Sequence, residues 1–282
     1  MSESENARAA ANRGFDDVSG PLVLVGAGKM GGAMLEGWLA LGLDPARLVV
    51  IDPQPSPVVA AHARLRLNPD LRGLQAAAVV IAVKPQVAPD VVPSLGPLID
   101  AATIVVSIMA GRTLAFLETA LPASAAIVRA MPNTPAAVGR GVTVAVANQF
   151  AIGSQRDLAD RLLGATGAVE WIADEQLLDA VTAVSGSGPA YVFLLAESLA
   201  RAGTAAGLPA DLAQRLARMT VDGAGELLHR SPLDATALRK NVTSPGGTTA
   251  AALDVLMGAN GLDPLLEKAV AAATKRSREL AH

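Results

Sequence analysis

Leu22-Val23-Leu24-Val25 runs directly into Gly26-Ala27-Gly28-Lys29-Met30-Gly31, and this junction constrains the fold more than any other part of the chain. An apolar strand that ends in G-x-G-x-x-G and opens a helix is the turn of a βαβ dinucleotide-binding unit. Gly26 permits the tight turn, Gly28 lets backbone approach a pyrophosphate, and Gly31 lets helix and strand pack closely. Lys29 and Met30 lie between them, where the helix begins. Met34, Trp38 and Leu41 recur at helical spacing and predict a helix from about Met30 to Leu41. Leu48-Val49-Val50-Ile51 is a second strand that ends at Asp52. A carboxylate about 20 residues past the glycines accepts hydrogen bonds from an adenine ribose. It also repels a 2′-phosphate. Ser56 offers a phosphate one hydroxyl, but no arginine follows closely, so the sequence favours NADH or mixed use over strict NADPH.

Further continuous apolar strands follow at Val79–Val83, Thr103–Ser107, Ile127–Ala130 and Val142–Val146, with another at Val169–Trp171. Such strands alternating with helices predict a parallel sheet covered on both faces. From about Gln176 the strands vanish, and Ala/Leu-rich helices are punctuated at Gly186–Pro189, Gly207–Pro209, Ser231–Pro232 and Pro245–Gly247. The expected fold class is α/β: a Rossmann-type dinucleotide-binding domain over residues 20–172, followed by an all-α domain over residues 173–282. Residues 1–19 are polar and read as a disordered tail.

The 282 residues allow two domains, each with its own core. Only two Trp, one Tyr and four Phe are present, so the core must be built of small aliphatics. The absence of cysteine excludes disulfides, thiolate metal sites and a cysteine nucleophile. Three histidines, His62, His229 and His282, lie apart from one another and argue against a metal site or a histidine triad. A net charge of −3 gives no sign of a nucleic-acid partner. No apolar run reaches the length of a membrane span and no signal peptide is evident, so a soluble cytoplasmic protein is expected.

Two loops lie just past carboxyl ends of strands, where open α/β sheets bind ligands: Lys84-Pro85 and Met131-Pro132-Asn133-Thr134-Pro135. The nicotinamide is expected at this rim. Arg129 precedes Met131 and is read as positioning the loop, without a catalytic role. Within the helical half, Asn241-Val242-Thr243-Ser244-Pro245-Gly246-Gly247-Thr248-Thr249 interrupts the helices. Its glycines leave amides bare, and Thr248 or Thr249 is expected to cap the helix that follows. A helix start with bare amides and hydroxyls suits a carboxylate or phosphate. Ser185-Gly186-Ser187-Gly188-Pro189 reads locally as a helix break and restart. Tyr191, at helical spacing with Leu194 and Leu195, reads as core, and Lys275-Arg276-Ser277-Arg278 as a solvated helix end.

Five of these motifs together resemble the pyrroline-5-carboxylate reductase family. They are Val25–Met30, Ala82-Val83-Lys84-Pro85-Gln86, Val128–Pro135, Ser185–Tyr191 and, most specific, Lys240–Thr249. The resemblance runs from about residue 20 to 280, in the family's order. It implies reduction of 1-pyrroline-5-carboxylate to L-proline by hydride from NADPH or NADH. It implies that Lys84, Pro85, Met131 and Asn133 line the nicotinamide, and that Ser244, Gly246, Gly247, Thr248 and Thr249 hold the substrate. Thr249 aligns with the threonine proposed as proton donor. A homodimer with interlocked C-terminal helices, often built further into a decamer, is also implied. Asp52 departs from the pattern of NADPH-preferring members. Two other readings remain open at this stage: a hydroxyacid- or phosphogluconate-type dehydrogenase, and a non-enzymatic dinucleotide sensor.

Overall fold

A computed structural model describes residues 14–280. The strands and helices that matter are β1 Leu22–Val25, α1 Lys29–Ala40, β2 Leu48–Ile51, α2 Pro57–Ala60, β3 Arg66–Leu67, β4 Ala78–Ile81, α3 Ala88–Ser94, β5 Ile104–Ser107, α4 Leu114–Ala120, β6 Ala126–Met131, β7 Gly141–Ala147, α5 Ser154–Gly164 and β8 Gly167–Trp171. They are followed by α6 Leu178–Val181, a π-helical turn at Thr182–Gly186, α7 Gly188–Ala205, α8 Ala210–Arg230, α9 Ala235–Asn241, α10 Thr248–Leu256 and α11 Leu262–Leu280. The chain divides into two compact units, one through Gly186 together with the end of α11 from Lys275, the other Ser187–Thr274. This division by compactness lies after residue 172, where the sequence reading places the change from strands to helices. The α6 turn and the π turn stay with the sheet because Leu178 packs into a small cluster with Val144 and Val146 of β7.

The sheet of the first unit has the order β3-β2-β1-β4-β5-β6-β7-β8. Strand residues alternate between its faces. Leu22, Leu24, Val50, Val80, Val106 and Val128 meet Met34, Leu35 and Trp38 of α1 and Leu158 and Leu162 of α5. Val23, Val25, Val79, Ile81, Val105 and Ile127 meet Val92 of α3 and Leu117 of α4. Both faces are dry, which is why these strands carry no polar alternation. Trp38 satisfies its indole N–H on the Leu162 carbonyl at 2.8 Å.

Two expectations about the sheet need correction. It is not wholly parallel: β7 runs antiparallel to β6, and β8 parallel to β7. The link through residues 132–140 is too short for the helical crossover that a parallel pair requires. The expectation of a disordered tail over residues 1–19 also needs correction at its inner end. Residues 1–13 lie outside the described residues, but Phe15 and Val18 are buried in the core. Arg47 holds this stretch by donating to the Phe15 carbonyl at 2.8 Å and to the Val18 and Gly20 carbonyls.

In the second unit α7 packs on α8, with Ala213 and Ala217 buried and Gly203 letting the helices approach. Most of its large apolar side chains face outward, Phe193 at 63 % and Met219 at 70 % exposure among them. Tyr191 is accordingly half-buried rather than core, and Leu194 and Leu195 are exposed. The expectation of no membrane-length apolar run also fails. The helical stretch Glu175–Ala205, 31 residues long, contains an 18-residue window with a mean hydropathy of 1.3 and is by length and composition alone enough to cross a membrane. Its apolar surface simply finds little cover within one chain. The end of α11 is anchored rather than merely solvated, since Ser277 donates to Asp179 at 2.7 Å.

Candidate active site

The glycine loop meets each steric demand of a dinucleotide turn. Gly26 has φ +90°, and a Cβ there would lie 2.8 Å from the Ala82 carbonyl oxygen. A Cβ on Gly31 would lie 2.1 Å from the Gly26 carbonyl oxygen. Around Gly28 nothing lies within 4 Å of that position, so its outer side is open to a ligand. Gly28 is also the N-cap of α1, where no side chain caps the helix and no acidic residue occupies the first turn. The amides at Lys29, Met30 and Gly31 thus begin a 12-residue helix at its positive end, open to an anion. These features fit the pyrophosphate of a dinucleotide.

Asp52 joins this loop directly. One carboxylate oxygen accepts the Ala27 N–H at 2.7 Å, and the other accepts the Gln54 N–H at 2.8 Å. A carboxylate has about four lone-pair positions, so ribose hydroxyls still find acceptors here. Asn68, which the sequence reading missed, fixes Asp52 from just past the edge strand β3. Its side-chain amide accepts the Asp52 N–H at 2.9 Å and donates to the Asp52 carbonyl at 2.8 Å. Asn68 takes a left-handed φ of +46° to do so, which asparagine tolerates better than most residues. Ser56 stands apart: it is the N-cap of α2, and its hydroxyl accepts the Val59 N–H at 3.3 Å.

At the rim, Lys84 is exposed and opens a short 3₁₀ turn that starts at Pro85. Arg112 clamps that turn, donating from Nε and Nη2 to the Pro85 carbonyl at 2.9 and 2.6 Å, and lies over the Phe116 ring. No sequence signal singled out Arg112. Met131 ends β6 partly exposed. Arg129, two residues earlier and buried, pairs with Glu175 at 2.7 Å. Asn133 is nearly buried. Its Oδ1 accepts the Val142 N–H at 3.0 Å and its Nδ2 donates to the Ser185 carbonyl at 3.3 Å.

Ser244, Gly246, Gly247, Thr248 and Thr249 form one turn within the second unit. Gly246 has φ +70°, and the Gly247 N–H closes the turn on the Ser244 carbonyl at 3.1 Å. Contrary to the sequence expectation, neither Thr248 nor Thr249 caps the helix. Gly247 is the N-cap of α10, with no side-chain cap, so the helix begins at Thr248, earlier than a threonine cap would start it. The hydroxyls of Ser244, Thr248 and Thr249 therefore remain uncommitted among the described residues, beside bare amides.

Residues 175–280 match the family described as pyrroline-5-carboxylate reductase dimerisation, and residues 21–111 match NADP oxidoreductase coenzyme F420-dependent. A pyrroline-5-carboxylate reductase of Pseudomonas aeruginosa is 38 % identical over 92 % of this chain and 96 % of its own length. One from Pisum sativum is 41 % identical over 92 % and 95 %. A solved pyrroline-5-carboxylate reductase from Coxiella burnetii superposes with TM-score 0.87 at 35 % identity, over 94 % of this chain and 99 % of that one. That of Plasmodium falciparum, with NADP bound, gives 0.78 at 29 % over 94 % and 99 %. With coverage this complete at such identity, the chain belongs to the pyrroline-5-carboxylate reductase family.

Proposed function

We infer that this chain reduces 1-pyrroline-5-carboxylate to L-proline, the last step of proline biosynthesis, using NADPH or NADH. The carrying observation is the pairing, in one chain, of two uncapped helix starts of different character. One follows the glycine loop and suits a pyrophosphate. The other carries three uncommitted hydroxyls and suits a small carboxylate. Gly26 to Gly31 with Asp52 would hold the dinucleotide's pyrophosphate and ribose, and Lys84, Pro85 and Met131 would face its nicotinamide. When bound, the reduced nicotinamide supplies the hydride.

The chain's own residues bind, orient and shield. The amides of Thr248 and Thr249 begin α10 at its positive end and bind the substrate carboxylate. Fixing the ring at the rim removes about 7–11 kcal/mol of barrier in favourable cases. The imine nitrogen must carry a proton for its carbon to accept hydride readily. At low pH it arrives protonated from solvent. At higher pH a hydroxyl at Thr249 has to hold a proton at that nitrogen. Thr249→Val should therefore lower kcat about tenfold, with a deficit that grows as pH rises. Retained cofactor binding with unchanged turnover at every pH would remove Thr249 from the mechanism. The direct assay follows oxidation of NADH and NADPH side by side with 1-pyrroline-5-carboxylate present; oxidation of neither would sink the reading.

Asp52 argues for NADH, through ribose acceptance and repulsion of a 2′-phosphate. Asp52→Ser should shift the ratio of kcat/KM toward NADPH by about tenfold or more. An unmoved ratio would refute the ribose assignment.

The assembly we propose is a cytoplasmic homodimer whose C-terminal helices interlock, with a decamer as the further assembly that the family resemblance implies. Support comes from the outward apolar side chains of α7 and α8 and from the groove between them. That groove, about 890 Å³, is lined by Phe193, Ala196, Ala200 and Val221 and is sized for helical side chains of a second copy.

A further inference from the structure

The proline in Ser185-Gly186-Ser187-Gly188-Pro189 creates a problem that Asn133 solves. In a continuous α-helix the Ser185 carbonyl would accept the N–H of residue 189. Pro189 has none. The next amide, that of Ala190, is taken by the Ser187 carbonyl at 3.0 Å. The chain passes through this point as a π turn, Thr182–Gly186, a form often found at functional sites. The Asn133 side chain supplies the missing donor, at 3.3 Å. Its other end accepts the Val142 N–H, so the amide is anchored to β7 while it reaches the turn.

The same turn sits on the rim. A Cβ on Gly186 would come within 2.8 Å of Met131 Cε, so the turn and Met131 are in close contact. The turn also keeps the Ser185 hydroxyl buried without a hydrogen-bond partner among the described residues. An unfavourable turn of this kind persists only where its surroundings fix it.

We propose that Asn133 is a positioning residue, whose amide takes the Ser185 carbonyl left orphaned by Pro189 and so fixes the π turn against Met131 at the hydride-transfer rim. This deepens the reductase reading and rests on it for its kinetic consequence. Asn133 acts on the rim through the turn rather than by touching the reacting atoms.

The test is a double-mutant cycle on the full chain. Pro189→Ala returns an N–H to residue 189 and offers Ser185 its α-helical partner. Asn133→Ala should lower kcat about tenfold in the wild-type background, with KM for NADH and NADPH moving less than about threefold. In the Pro189→Ala background its cost should fall to about twofold. The drop in melting temperature caused by Asn133→Ala should shrink in parallel, a readout that needs no turnover. Asn133→Asp keeps an acceptor for Val142 but loses the donor, and should behave as Asn133→Ala; it serves where the alanine variant folds poorly. Equal costs in both backgrounds, in rate and in melting temperature, would overturn the proposal. So would a loss carried wholly by cofactor KM, which would make Asn133 a cofactor contact. A wild-type chain inactive with 1-pyrroline-5-carboxylate would defeat the reductase reading alone, while the melting cycle still decides Asn133.

Discussion

Gly31→Ala is expected to weaken binding of NADH and NADPH by about 10- to 100-fold, while Gly32→Ala, one residue along the same helix, leaves it intact. The added methyl at residue 31 would lie 2.1 Å from the Gly26 carbonyl oxygen, well inside contact distance. The obstacle is backbone, so no rotamer can relieve it. Nor can Gly26 retreat, because its own Cβ position is already 2.8 Å from the Ala82 carbonyl oxygen at a φ of +90°. The loop must open away from α1. The cost of such overpacking, about 1–3 kcal/mol, reappears whenever binding requires the closed form. At Gly32 the nearest atom to an added Cβ is the Ala27 carbonyl oxygen at 3.6 Å, an ordinary contact. Alanine there gains about 0.5–1 kcal/mol of helix preference. Fluorescence titration with both dinucleotides and a melting curve for each variant check the contrast. Equal affinity of the two variants would show that the strand–helix contact does not shape the cofactor loop.

The glycine loop was legible because its requirements are local. Three glycines between a strand and a helix carry their own explanation: the structure places Gly26 and Gly31 against the backbone atoms that demand them and leaves Gly28 open. The same holds for the dry strands, whose unbroken apolar character announces two covered faces. What stayed hidden depends on distant partners. β3 is two residues long and starts at an exposed arginine, so no pattern marks it; pairing with Val49 and Val50 makes it a strand. Asn68 and Arg112 look like surface residues in sequence, yet one pins Asp52 across 16 positions and the other clamps Pro85 across 27. The cap of α10 was misplaced by one residue because threonine is the better capping residue by propensity, while the left-handed Gly246 decides where the helix starts. The outward apolar face of α7 misled in the opposite sense, since spacing alone cannot tell a face covered by its own chain from one left for another copy.

Glu175→Ala is expected to lower the melting temperature of the chain by about 5–10 °C, from the loss of one carboxylate oxygen that serves two partners. Glu175 Oε1 accepts from Arg129 Nη1 at 2.7 Å and from the Leu114 N–H at 2.8 Å. Leu114 is the first residue of α4, so the carboxylate also sits at that helix's positive end. The Arg129 side chain on β6 is only 9 % exposed, and a buried unpaired guanidinium is costly. Breaking a fully buried pair costs about 3–5 kcal/mol; the Glu175 side chain is 27 % exposed, which brings the expectation to about 2–3 kcal/mol. For a unit of this size each kcal/mol is worth about 2–4 °C. Glu175→Gln retains the acceptor and should lose about half as much. The double variant Arg129→Met with Glu175→Leu should regain most of the loss, because apolar replacement of a buried pair is often neutral. A melting temperature for Glu175→Ala within about 1 °C of wild type would mean that Arg129 reaches solvent without its partner. The adjoining rim at Met131 would then owe its placement to the Asn133 link and the sheet alone, and the kinetic cost of Asn133→Ala should exceed that of Glu175→Ala. If the ion pair holds β6 as the geometry requires, Glu175→Ala loses stability first and turnover only as the rim loosens on approach to the melting transition.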